Sequence, residues 1–167
     1  MAVDSSGSSL DLWELARIAG EIHKVTVDEI RMVSKLSDED LAEYARGNLA
    51  RSVDLEMLTP DEAAQFHGVV ESFEHRAEVP AAQEQVRDIF QNISEQEQSA
   101  SPFALALASI AVSSSQFAGG AGGPVFGFWR TLFKDLAGGI GGGLGGSAGG
   151  PGGVVVGAVA GAVAASL

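Results

Sequence analysis

The last 32 residues, Leu136 to Leu167, carry no ionisable side chain. A stretch of that length without charge has to be covered by a core, by lipid or by another chain. It belongs to a wider segregation. Residues 1–100 hold 21 of the 22 acidic residues and eight of the ten Lys and Arg, whereas residues 101–167 hold only Arg130, Lys134 and Asp135. Glycine divides the other way, with 18 of 22 residues after position 100. A shift this sharp marks a change of solvent or of packing rules. It divides the chain into a flexible leader (1–8), an acidic helical domain (9–100) and a hydrophobic Gly-rich region (101–167).

Three elements are expected in the Gly-rich region. Residues 102–118 form an uncharged apolar helix opened by Ser101 and Pro102, a suitable N-cap and N1 pair. At ~1.5 Å per residue it is about 25 Å long, short of the ~30 Å hydrocarbon core of a bilayer. After the break at Gly119–Gly123, residues 124–137 give an aromatic amphipathic helix. Val125, Phe128, Trp129, Leu132, Phe133 and Leu136 follow helical spacing, and Arg130, Thr131, Lys134 and Asp135 take the opposite side. At a bilayer, Val125, Phe126, Phe128, Trp129, Leu132, Phe133 and Leu136 would enter the interface while Arg130 and Lys134 reach outward. In a globular core the same stripe would dock a helix.

Gly138 to Gly153 reads as a segment with no reason to hold one conformation in water. Residues 153–167 form a third helix, on which Gly153, Gly157, Gly161 and Ala165 recur every four residues beside Val155, Val159 and Val163. That smooth ridge admits another backbone at close range, the small-xxx-small pattern of tightly packed membrane helices, and it is the expected self-association surface. The alternatives are β pairing through the low-charge run Val154-Val155-Val156 and intramolecular packing of the ridge on residues 102–118. The aromatic helix around Phe126-Gly127-Phe128-Trp129, with the ridge of Gly153, Gly157 and Gly161, resembles the glycine-zipper segments of membrane-inserting bacterial proteins, which include unmodified bacteriocins and secreted toxins. The likeness covers under a third of the chain. It implies membrane insertion with assembly into a homo-oligomer.

The acidic domain reads as four or five amphipathic helices packed as a small bundle. Apolar residues from Leu10 to Ala19 begin the first. Thr26 with Glu29, Ser37 with Asp40, and Thr59-Pro60-Asp61-Glu62 are start signals, the last combining an N-cap Thr, a Pro at N1 and a Glu at N3. The helix opened at Thr59 is expected to run to about Glu78, and Pro80 opens another containing Val86, Ile89, Phe90 and Ile93. The fold class is therefore all-α.

Composition also excludes function classes. A net charge of −12 argues against nucleic acid as a partner, because phosphate neutralisation requires basic residues. The chain has no cysteine, hence no thiolate metal site or Cys nucleophile. His67, Glu71 and His75 share one side of a helix, but three ligands at four-residue steps span about 12 Å of rise, too far for one ion. Nucleophile-elbow, phosphate-loop and dinucleotide signatures are missing from the sequence. No enzyme activity, cofactor or metal is expected. The reading is a non-enzymatic, membrane-associated protein that self-oligomerises on a lipid bilayer, with the acidic domain as solubilising shield. Membrane permeabilisation and anchoring of an adaptor are its two versions; an exported form would leave without a cleaved N-terminal signal. The competing reading is a soluble assembly protein whose Gly-rich tail mediates subunit packing.

Overall fold

The computed structural model describes residues 32–33, 35–96, 100–120 and 125–165. The leader, the helix expected from Leu10 and the Thr26 start signal lie outside the described residues. Among those described there are six α-helices and no strand: α1 (Asp38–Asp54), α2 (Pro60–Glu74), α3 (Val79–Glu95), α4 (Pro102–Gly120), α5 (Val125–Gly146) and α6 (Gly150–Ala165). A 3₁₀ turn, Ser147–Gly149, joins the last two.

The helix starts are where local chemistry places them. The Ser37 hydroxyl accepts from the Asp40 amide at 3.1 Å, and Asp38, Glu39 and Asp40 occupy the first turn of α1, where acids complement the helix dipole. Thr59 and Glu62 form a complete capping box at the head of α2. Ser101 caps α4 by accepting from the Ala104 amide at 3.0 Å.

The stops were less legible. α2 ends at Glu74 rather than near Glu78, because Arg76 takes a left-handed conformation (φ 48°) and turns the chain. The Arg76 amide bonds the Phe73 carbonyl and the Ala77 amide the Ser72 carbonyl, a Schellman closure. α1 ends in the same way at Glu56 (φ 56°), whose amide bonds Val53 while Met57 bonds Ser52. Glycine is usual at both positions, so neither stop carries its ordinary sequence mark.

α5 is the central element. It packs on α4 and α6, on α1, and more lightly on α2 and α3. Its helix runs past residue 137 and includes the glycine stretch to Gly146, which corrects the expectation of an unstructured segment. Glycine disfavours isolated helix by about 1 kcal/mol per residue, but here residues 138–143 are all buried between neighbours, and tertiary packing decides. One buried cluster runs from Val33 through Leu41, Phe66, Phe73, Ile93 and Leu107 to Trp129, Ile140 and Ala158. The core therefore passes through the compositional break without interruption.

Candidate functional site

α5 divides along its length into two contact zones. In the first, Phe128, Trp129, Leu132, Phe133 and Leu136 are at most 3% exposed. Phe133 stacks on Phe73 of α2 with ring centroids 4.1 Å apart, and Trp129 meets Phe73 edge-on at 6.2 Å. The Trp129 indole N–H donates to the Ala77 carbonyl at 2.8 Å, satisfying a backbone oxygen just beyond the end of α2. The Arg130 guanidinium donates to Asp38 at 2.9 Å, and Arg76 reaches the same carboxylate at 3.0 Å. Lys134 is half-buried. Val125 and Phe126 stand in the first turn of α5. From Phe128 to Leu136, the stripe identified as a bilayer interface is thus the clasp between α5 and the acidic helices. Its rings Trp129 and Phe133 touch protein, because Phe73 of α2 lies within reach.

The second zone is a hairpin of glycine on glycine. α5 and α6 run antiparallel, with Gly138 opposite Gly161, Gly142 opposite Gly157 and Gly146 opposite Gly153. A Cβ added at Gly138 would stand 2.6 Å from the Gly161 carbonyl oxygen and 2.7 Å from the Ala165 Cβ. One at Gly142 would overlap the Gly157 carbonyl, and one at Gly146 that of Gly153. The ridge of Gly153, Gly157, Gly161 and Ala165 therefore does face another backbone closely, but that backbone is α5 of the same chain. Gly138, Gly142 and Gly146 are the partners that sequence reasoning missed. They repeat the same four-residue step, which was the available signal.

The other side of the glycine run receives α4: the Phe103 ring lies over Gly143, and Ile110 and Leu107 lie 3.1 and 3.3 Å from where a Gly139 Cβ would be. With both of these faces of α5 filled, the surface that remains belongs to α4 and α6. α6 has no polar or charged side chain in its described length, and Val156, Val159 and Val163 are 62, 48 and 59% exposed. α4 contributes Pro102, Ser109, Ser113 and Gln116 as exposed, uncharged positions beside it. Between the two helices runs a groove of about 620 Å³ lined mainly by Leu105, Ala106, Ile110, Val155, Val159 and Val163. At one end Ser114 of α4 donates to Asp135 of α5 at 2.6 Å, both side chains buried. Sequence reasoning named Val155, Val159 and Val163 only as neighbours of the ridge and did not single out Val156; the exposure of Val156, Val159 and Val163 follows once the ridge itself is covered.

The described histidines do not assemble a ligand set. His75 is exposed at the end of α2 with its Nδ1 2.8 Å from the Glu71 carbonyl, and His67 is half-buried about two helical turns away. No group of three or more His, Cys, Asp or Glu able to hold a metal ion occurs among the described residues. No helix among them is long and apolar enough to cross a membrane. No family model, curated protein or solved structure matches the chain.

Proposed function

We propose that this is a non-enzymatic protein that associates with a lipid bilayer through the charge-free face of α4 and α6, the acidic helices remaining in water. The observation that carries the reading is the exposed valine stripe, Val156, Val159 and Val163, on a helix with no polar residue. Exposed apolar surface of this kind marks an interaction site. Charge distribution supports the same orientation, since the described acids lie almost wholly on α1–α3 and their loops, with Asp135 the exception. The face has no basic residues to favour anionic headgroups, so an uncharged bilayer is the better partner. Contact of Phe128, Trp129 or Phe133 with lipid belongs to a later step in which α5 leaves α1 and α2; that step would also free the glycine clasp for assembly between copies.

Flotation of the full chain with phosphatidylcholine vesicles tests the proposal. Wild-type protein should float, and the triple variant Val156→Ser, Val159→Ser, Val163→Ser should bind on the order of 100-fold more weakly, about half the burial value of each valine being lost. A chain that stays at the bottom overturns the reading. If it also forms a defined oligomer that the triple variant disperses, the face joins copies of the chain, as the soluble assembly reading holds.

A further inference from the structure

The turn after α2 is built at a cost that glycine would avoid. Arg76 holds a left-handed backbone (φ 48°), which is unfavourable for a residue with a Cβ. Strain of this kind points to a use for the side chain that bears it. From this position the Arg76 guanidinium reaches back to Asp38 at 3.0 Å, and the next residue, Ala77, offers its carbonyl to the Trp129 indole at 2.8 Å. The turn thus serves the start of α5 twice, once through Asp38 and once directly. Asp38 is the shared point, since its Oδ2 accepts from Arg76 and its Oδ1 from Arg130 at 2.9 Å. One carboxylate joins α1, the turn between α2 and α3, and α5.

Most of the contacts that hold the aromatic stripe have an equivalent in a bilayer. Phe133 exchanges one apolar neighbour for another when it enters hydrocarbon, and an indole N–H finds acceptors at the headgroups. Two terms still oppose release of α5: the uncovering of Phe73 and the breaking of the Arg130–Asp38 pair. The first is fixed by the fold. The second rests on partly solvated side chains, since Asp38, Arg130 and Arg76 are 21, 36 and 50% exposed, and such pairs are weak. Arg76 also remains with Asp38 when Arg130 leaves, so opening strands no unpaired carboxylate.

From this geometry we propose that Asp38 and Arg130 form a latch that restrains the aromatic face of α5, with Arg76 as the counter-ion that keeps Asp38 when the latch opens. The inference rests on the bilayer reading above and names the residues that govern its later step.

Full-length variants in a Trp13→Phe background, where Trp129 is the single tryptophan, test it. The probe is a phosphatidylcholine vesicle with bromine on the acyl chains, which quenches a tryptophan that enters the bilayer. Flotation of each chain is measured first, and quenching rates are compared at lipid that binds all of it. Asp38→Asn and Arg130→Gln should each be quenched about threefold faster than the parent, the kinetic equivalent of one partly exposed ion pair. Arg76→Gln should be quenched more slowly, because Asp38 then depends on Arg130 alone and release leaves it unpaired. The opposite signs separate a latch from a general loss of stability, which would speed all three. Unchanged rates in Asp38→Asn and Arg130→Gln, a faster Arg76→Gln, or no quenching of any bound chain overturns the latch and leaves the bilayer reading standing. If no chain floats, the bilayer reading fails and the latch falls with it.

Discussion

At the scale of single residues, glycine has opposite roles in the two halves of this chain. Gly47, in α1, has nothing within 4 Å of where its Cβ would be. There an alanine adds helix propensity and nothing else, and Gly47→Ala should stabilise by about 0.5–1 kcal/mol. Gly142 faces the carbonyl oxygen of Gly157, and backbone cannot give way as a side-chain tip can. Gly142→Ala should destabilise by about 1–3 kcal/mol despite the same propensity gain, the ordinary cost of overpacking a closed contact. Urea midpoints of the two variants beside wild type measure both signs in one experiment; a stabilised Gly142→Ala would mean that α5 and α6 do not pack as a glycine pair. This is also where sequence and structure part. The four-residue step of Gly153, Gly157 and Gly161 was readable because spacing alone defines a ridge. Gly138, Gly142 and Gly146 have identical spacing, but glycine's low helix propensity pointed to disorder, and only the contact with α6 reverses that preference. The outward exposure of Val156, Val159 and Val163 was hidden for the same reason: which side of an all-apolar helix faces water depends on which side its partner takes.

At the scale of elements, helix starts were legible and helix register against neighbours was not, because caps are local while packing is not. Thr59 and Glu62 show how far a local signal reaches. Glu62 Oε2 accepts from the Thr59 amide at 2.7 Å, closing the capping box, while Oε1 accepts from the Ser101 amide at 2.7 Å. One carboxylate, 3% exposed, thus secures the head of α2 and the chain entering α4. Loss of the Thr59 hydroxyl removes one cap, and Thr59→Ala should cost about 1 kcal/mol. Glu62→Ala leaves two backbone donors without their acceptor and should cost about 2–3 kcal/mol, since each stranded donor bears its own desolvation penalty. The ordering, measured by urea titration, is the informative quantity. Equal costs would reduce Glu62 to its capping-box role and remove the tie between α2 and α4.

At the scale of the whole molecule, the compositional break at residue 101 separates two packing styles inside one core. Before it, helices meet through Leu, Val and Phe side chains; after it, α5 and α6 meet through backbone. The two styles share α5, whose aromatic half is held by Phe73 and the Ala77 carbonyl and whose glycine half is held by α6 and Phe103. A helix common to both regions couples their unfolding, because freeing either half of α5 exposes Phe73 and Phe133 or strands the glycine face in water. The full chain should therefore unfold in one transition. The sequence provides the reporter: Trp13→Phe leaves Trp129 as the single tryptophan, seated at the joint between the regions. In urea, its fluorescence and the far-ultraviolet circular dichroism, to which every helix contributes, should give coincident midpoints. The same coupling predicts that a chain ending at residue 100 will not unfold cooperatively, since it lacks the rings that cover Phe73. A tryptophan transition at lower urea than the loss of helix would show α5 releasing from the acidic helices while they stay folded. That outcome would sever the two regions energetically and make the release step required for aromatic contact with lipid accessible from the folded protein.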